Sequence, residues 1–339
     1  MMIIIDGSYG EGGGAIIRTA TALSALKGQS IHIKNIRANR PKKGLAPQHL
    51  TAIKALSNLT GAYCSGLNIG SEEIYFNPST ISGGTYQIDI KTAGSITLVL
   101  QSLMIPSMFA DSTVKLEIRG GTDVRWSPSI DYFKNVTLPL LRLLGYDVKV
   151  DLIKRGYYPR GGGIIKAVIN PLKQLKHLNL TDIEIDSIKG ISHCSKLPDH
   201  VATRQAHAAE KILEKCGYDV DIEIQCKSDS LGPGSGIVLW TSGNNPIGGS
   251  AIGEPGKRAE IVGKNAADEL IYHISKKAPL DKYMGDQIIP YMAASGHSKI
   301  KTCELTQHTT TNIYVAEKIM DKKFQIQGKL GEPAIISVK

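Results

Sequence analysis

Residues 2–26, MIIIDGSYGEGGGAIIRTATALSAL, hold one complete strand–turn–helix passage. Residues 2–5 are a short apolar run that Asp6-Gly7 ends, as a buried strand is ended by a turn. The loop Gly10-Glu11-Gly12-Gly13-Gly14 follows, and residues 15–26 have helical composition and period. Further along, residues 30–37 alternate like a strand, and residues 47–59 read as a helix with Ala52, Ile53, Leu56 and Leu59 on one face. Strand-like residues 86–90, an apolar helix at 94–110, a strand at 114–119, a helix at 130–144 and a strand at 147–153 continue the rhythm. Strands alternating with helices predict an α/β (α+β) fold, sheet on one side and helices on the other.

The texture changes between about residues 183 and 279. There a strand (183–191), a long helix (201–216), two strands (219–225 and 236–240) and a second helix (257–277) could stand as an inserted α/β unit. The tail resumes with a helix at 280–294, a strand at 299–305, a helix at 311–320 and two closing strands. An internal echo, Tyr9-Gly10-Glu11-Gly12-Gly13-Gly14-Ala15-Ile16-Ile17 against Tyr158-Pro159-Arg160-Gly161-Gly162-Gly163-Ile164-Ile165, suggests repeated units.

The bulk numbers exclude several classes. At 339 residues, with 42% hydrophobic and 21% charged residues, the chain is neither disordered nor a minimal domain. The net charge of +9 suits an anionic partner such as nucleic acid or a nucleotide. Aromatics at 6% argue against a single-strand-binding surface built mainly on stacking. The five cysteines show no C-x-x-C pair, which argues against zinc and for reduced thiols in the cytoplasm. No apolar stretch nears the roughly 20 residues that span a bilayer, and the opening run is too short for a signal peptide.

Four places can carry chemistry. Glu11 sits among glycines that let a ligand approach the backbone, at the start of a helix carrying Arg18, where Mg²⁺ could take an oxygen ligand. The loop is not a Walker A motif, and on pattern alone it reads as a tight turn with a solvated glutamate. Arg37, Arg40, Lys42 and Lys43, just before Gln48-His49, form a loop able to grip an anion, although charge runs are usually solvated surface. Tyr283 could stack on a base while Asp286 holds a ribose hydroxyl; an ordinary amphipathic helix is the plainer reading. His308, in Gln307-His308-Thr309-Thr310-Thr311-Asn312-Ile313, is expected to follow a strand and precede a helix that Thr and Asn can cap. A neutral imidazole facing helix amides is a competent nucleophile toward a bound phosphate. A capping or core histidine is the alternative. His200, Arg204 and His207 do not match metal-ligand spacing and read as a polar helix face.

Taken together, these residues resemble the RNA 3′-terminal phosphate cyclase family, in its archaeal and bacterial catalytic form. The resemblance is carried by Asp6 to Gly14 with Arg18-Thr19-Ala20; Ile36-Arg37-Ala38 with Arg40; Gly44-Leu45 with Gln48-His49-Leu50; and Ala93-Gly94-Ser95 with Leu98-Val99-Leu100-Gln101. It continues in Gly120-Gly121-Thr122-Asp123, Tyr158-Pro159 with Gly161-Gly162-Gly163, and His308 with Thr311-Asn312. It implies a large domain of three repeated βαβαββ-like units (1–182 and 280–339) with a smaller inserted α/β domain (183–279). It implies an ATP- and Mg²⁺- (or Mn²⁺-) dependent ligase, closing an RNA 3′-terminal phosphate into a 2′,3′-cyclic ester through histidine–AMP and RNA–(3′)pp(5′)A intermediates. His308 would be the nucleophile and Glu11 the metal ligand. Arg18, Arg37, Arg40 and Gln48 would contact phosphates; Gln101, Pro128, Tyr132, Tyr283 and Asp286 would form the adenosine pocket. The partners implied are ATP and RNA, with no membrane, acting as a monomer or homodimer. The alternative is a non-catalytic, cyclase-like RNA-binding protein of ribosome assembly, a class that lacks the nucleophile.

Overall fold

The computed structural model describes residues 2–339. Three of its four-stranded sheets are built alike. The first takes β1 (Ile3–Asp6), β2 (Ile31–Lys34), β3 (Tyr63–Ser65) and β4 (Ile74–Asn77) in the order β1-β2-β4-β3. Its first pair is parallel and the others are antiparallel. Helices α1 (Gly14–Lys27) and α2 (Pro47–Thr60) follow the first two strands. The second sheet repeats that order with β5 (Gly84–Asp89), β6 (Val114–Gly120), β7 (Val148–Lys154) and β8 (Gly163–Ile169), as β5-β6-β8-β7. Its helices are α3 (Ile96–Ser107) and the segment α4 (Ile130–Tyr132), a π-turn (Phe133–Thr137) and α5 (Leu138–Leu143).

The third sheet begins at β9 (Asn179–Leu180) and resumes more than a hundred residues later. Between them comes a fourth sheet of β10 (Ile185–Ser195), β11 (Val220–Lys227), β12 (Gly234–Gly243) and β13 (Gly248–Ile252), ordered β11-β10-β12-β13. Helices α6 (His200–Lys215) and α7 (Ala259–Ser275) pack on it, around a separate core that includes Ile188, Leu213, Ile237, Leu239 and Leu270. A Cβ at Gly263 would strike the Gln205 carbonyl, so glycine permits the close crossing of α6 and α7. The third unit then adds α8 (Met284–Gln287), α9 (Ile289–Ser295), β14 (Lys299–Thr302), α10 (Gln307–Met320), β15 (Phe324–Gln327) and β16 (Ala334–Val338). The order β9-β14-β16-β15 matches the other two.

In each of the three units at least one strand (β4, β6 and β8, β16) alternates more and less buried side chains, so each sheet turns one face to the helices. Helix α1 carries no polar face. Its alanines, threonines and isoleucines are buried on nearly all sides because α2, α3 and α10 surround it. Small residues let those neighbours approach, and α1 thereby becomes the axis on which the N- and C-terminal segments meet.

Several expectations need correction. The glycine echo joins unlike places: residues 10–14 lead from β1 into a helix, whereas residues 161–163 lead between two antiparallel strands. Glycine serves any turn that needs positive φ, so such loops recur without structural equivalence. The stretch 280–294 is two short helices, broken before Pro290, which has no N–H to continue the first. The helix expected at 311 starts at Gln307. Its N-cap is Thr306, whose hydroxyl accepts from Thr309 N at 3.1 Å, so His308 lies inside the first turn.

Candidate active site

Thirty residues from α1, α3, the loop after β6, the α4–α5 segment, the β13–α7 region, α8, α9 and α10 line one cavity of about 850 Å³. That size is usual for a small-molecule site, roughly 300–1,000 Å³. Of the residues nominated from sequence, Arg18, Gln101, Pro128, Tyr132, Tyr283, Asp286 and His308 line it. Glu11 and Arg40 reach it through His308. The Glu11 carboxylate lies 2.7 Å from His308 Nδ1 by one oxygen and pairs with the Arg40 guanidinium by the other. The contact is a close approach rather than an aligned hydrogen bond, since Glu11 Oε2 has no hydrogen-bond partner; a proton kept on Nδ1 beside this carboxylate would leave the lone pair on Nε2, the tautomer a nucleophile needs. The glycines beside Glu11 serve this packing. Gly12 has φ of +61°, and a Cβ on Gly14 would collide with the His49 ring.

The electrostatics are those of a site short of counter-charge. Burial pushes the Asp286 carboxyl up to about 7, with His308 and Arg18 pulling the other way. Burial likewise brings the Arg18 guanidinium down to about 10, opposed by Asp286. His308 is held below its ordinary value by burial and by Arg18 and Arg40, while Asp286 works against them. His49 falls to about 3 through burial and the charges of Arg18 and Arg37, so it stays neutral between two guanidiniums.

Two nominated residues are committed elsewhere. Arg37 donates to the Gly44 carbonyl at 2.9 Å and closes its own loop, with Lys42 and Lys43 exposed beyond it. Gln48 accepts from Ser95 N at 3.1 Å, at the start of α3. Neither lines the cavity. Gln101 donates to Gln287 at 2.6 Å. Tyr132 is buried and gives its hydroxyl to Asp281, offering the cavity only its ring. Tyr283, edge-on to Tyr132, donates its hydroxyl to Glu269 at 2.6 Å.

Sequence reasoning missed the organising role of three groups, although Asn312 and Asp123 stood in the quoted motifs. Asp281 is fully buried and accepts from Tyr132 Oη, Gly248 N, Tyr283 N and Met284 N, tying α4, β13 and α8 into one knot. An aspartate three positions before the first residue of a short helix is a capping signal that could have flagged it. Asn312 accepts from Thr19 Oγ1 at 2.9 Å and donates to the Asp286 carbonyl at 3.0 Å, so it locks α1, α8 and α10 together. The third organiser is a buried network beneath the loop after β6. Arg155 meets Asp123 at 3.3 Å and Asp131 at 2.7 Å, and His193 of β10 reaches Asp123 at 3.4 Å. Asp123, Asp131 and His193 could together ligate a metal, but the Arg155 guanidinium already supplies their positive charge.

The arrangement can hold a polyanion against an imidazole. Arg18 and Arg40 offer cationic forks, and Asp286 and Tyr283 offer a hydroxyl acceptor and an aromatic ring. One carboxylate, Glu11, is the kind of donor Mg²⁺ or Mn²⁺ takes when nucleotide phosphates and water complete its shell. The residues present therefore fit a metal–nucleotide ligand.

A family model described as RNA 3′-terminal phosphate cyclase matches residues 9–326. Proteins named RNA 3′-terminal phosphate cyclase are similar to the chain over their full lengths. One from Methanothermobacter thermautotrophicus is 48% identical over 337 residues, covering 99% of this chain and 100% of that one. Another from Pyrococcus furiosus is 50% identical over 339 residues, covering 99% and 98%. A third from Methanosarcina barkeri is 51% identical over 330 residues, covering 97% and 98%.

Proposed function

The chain belongs to the RNA 3′-terminal phosphate cyclase family, and from that premise we propose that it uses ATP to convert an RNA 3′-terminal phosphate into a 2′,3′-cyclic phosphodiester, with His308 as the nucleophile. The observation that carries the reading is convergence. Glu11, Arg18 and Arg40 from the N-terminal unit meet Asp286 and His308 from the C-terminal unit around one cavity.

In the first step the Nε2 lone pair of His308 attacks the α-phosphorus of ATP. A P–N bond forms, the α–β phosphoanhydride bond breaks, and pyrophosphate leaves. An oxygen of the RNA 3′-phosphate next attacks that phosphorus and frees the imidazole, giving RNA–(3′)pp(5′)A. The vicinal 2′-hydroxyl then attacks the 3′-phosphorus, its proton passes to solvent, and AMP leaves as the ring closes. A phosphate monoester dianion is a poor electrophile, so adenylylation supplies the leaving group while the neighbouring hydroxyl supplies high effective concentration. The protein contributes placement and charge neutralisation.

Arg18 and Arg40 face phosphates, and Glu11 both orients His308 and holds Mg²⁺ or Mn²⁺, which when bound neutralises phosphate charge. Tyr283, Pro128, Gln101 and the Tyr132 ring form the adenosine pocket, with Asp286 on the ribose. Arg37 and Gln48 act on the ligand through the loops they close. We further assign residues 1–182 with 280–339 to a catalytic domain and 183–279 to an inserted one. The free cysteines suit a reducing cytoplasm.

Incubation with Mg²⁺ and ATP radiolabelled at the α-phosphate tests the reading. Wild type acquires an acid-labile, alkali-stable label, and His308→Ala acquires none. Equal labelling of the two proteins would overturn the nucleophile. A 3′-phosphorylated oligonucleotide added to the labelled enzyme should become resistant to phosphatase.

A further inference from the structure

One of the protein's two tryptophans stands almost bare in solvent at the rim of the cavity. Trp126 is 93% exposed, and it lines the same cavity as His308. Its φ is +61°, a conformation a bulky L-residue adopts only when its surroundings impose it. The surroundings are plain. Asp123 and Asp131, on either side of this loop, are buried in the network around Arg155. Ile130 N donates to the Thr122 carbonyl at 3.0 Å, closing the base of the loop. Ser127 Oγ donates to the Val124 carbonyl at 3.0 Å, and Thr97 Oγ1 donates to the Pro128 carbonyl at 2.7 Å. A braced loop that holds an indole out into water has no folding reason to do so.

Chemistry at His308 supplies a reason. In the proposed reaction the 3′-phosphate must reach the adenylylated imidazole. The terminal nucleobase is joined to that phosphate through one ribose, so it comes to rest in the cavity or on its rim. Among the described residues, four aromatic rings of Trp or Tyr line the cavity: Trp126, Tyr132, Tyr283 and Tyr291. Tyr132 and Tyr291 are buried. Tyr283 is tied to Glu269 and belongs to the adenosine pocket of the reading above. Trp126 alone presents both faces. The exposed Arg125 next to it in sequence pairs with Glu254 of the insert, and Lys257 lines the same cavity, so two cationic side chains share the cavity lining with the ring.

We propose that Trp126 is the stacking platform for the terminal base of the RNA, with Arg125 and Lys257 facing the adjoining phosphates. This rests on the cyclase reading, because it places the acceptor strand at the rim facing His308. Single-stranded RNA ends are held in this way by other proteins, since every base has a π-face and stacking tolerates any sequence.

The test compares wild type, Trp126→Ala and Trp126→Phe on oligonucleotides ending in a 3′-phosphate, with a normal or an abasic last nucleotide. Removing a stacking ring costs about 1–3 kcal/mol per base, or roughly 5- to 150-fold. Trp126→Ala should therefore raise KM for the normal oligonucleotide, and the Kd read by fluorescence anisotropy, at least about fivefold. Trp126→Phe should recover most of that. The abasic end should weaken wild type by a similar factor and Trp126→Ala hardly at all, because ring and base are one interaction. If wild type and Trp126→Ala discriminate equally between the two ends, the platform is disproved. It is also disproved if the alanine variant loses adenylylation by ATP as steeply as it loses RNA, since the ring would then serve the nucleotide. Absence of any labelling in wild type would instead strike the cyclase reading, and the anisotropy measurement would still judge Trp126.

Discussion

Two groups of buried charge lie close together in this protein and are solved in opposite ways. Around Arg155, each charge has an opposite within ion-pair distance: Asp123, Asp131 and His193 converge, and Gln225 accepts at 2.9 Å. Burial by itself would raise the Asp123 carboxyl, but His193 and Arg155 hold it well below the usual carboxylate range. Burial by itself would lower the Arg155 guanidinium, yet Asp123 and Asp131 push it above its ordinary value. In the cleft, Asp286 goes the other way, up to about 7, and Arg18 comes down to about 10. Groups displaced against their own ionisation are waiting for partners, whereas groups displaced toward it already have them. The first cluster joins the fourth sheet to the second, since His193 and Gln225 come from β10 and β11. The second is left for a ligand.

Substitutions should separate the two. The largest effect on stability is expected at the closed network. Arg155→Met strands two buried carboxylates and should lower unfolding free energy by about 3–5 kcal/mol in urea titration. Adding Asp123→Asn and Asp131→Asn to it should restore much of the loss. A single variant as stable as wild type would show that the cluster carries no net charge interaction. Next comes Arg18→Ala. Losing hydrogen bonds from a charged donor should weaken ATP binding by about 1.5–3 kcal/mol, roughly 10- to 150-fold by calorimetry, without lowering stability. A large stability loss there would erase the distinction between the clusters.

The third test, Asp286→Asn, turns on pH. The folded value near 7 lies above the unfolded value of 3.8, so the native state binds the extra proton between about pH 4 and 7. Native stability therefore falls as pH rises across that window. The asparagine variant escapes this and should be more stable than wild type at pH 8, with little difference at pH 4. On the function proposed above, which assigns this carboxylate to the ribose, the same variant should also bind ATP less well. Unchanged stability at both pH values would show that the carboxyl is not strained.

Much of the fold could be read locally. The passage from β1 through the glycine loop into α1, the helix at Pro47 and the strand at Val114 have periods that neighbouring residues alone define. The short strands β3, β4 and β13 escaped because three to five residues carry too little period to stand out from loops. The helix bearing His308 was expected too late, since Thr309 to Thr311 resemble caps as much as Thr306 does. The site was legible only as separate candidates. Nothing around Glu11 announces His308, almost three hundred positions away. Arg155 and Asp281 look like ordinary surface charges until their burial is known.

The chain by itself determined which segments become strands or helices, where glycine must stand, and which side chains have the chemistry for a phosphate and a nucleotide. These depend on covalent structure and on interactions within a few residues. Tertiary structure decided which imidazole meets a carboxylate, which arginine closes a loop and which lines a cavity, and which carboxyl lacks a counter-charge. Those outcomes depend on distance and solvent exclusion between distant segments, and neither quantity exists before the three units close around α1.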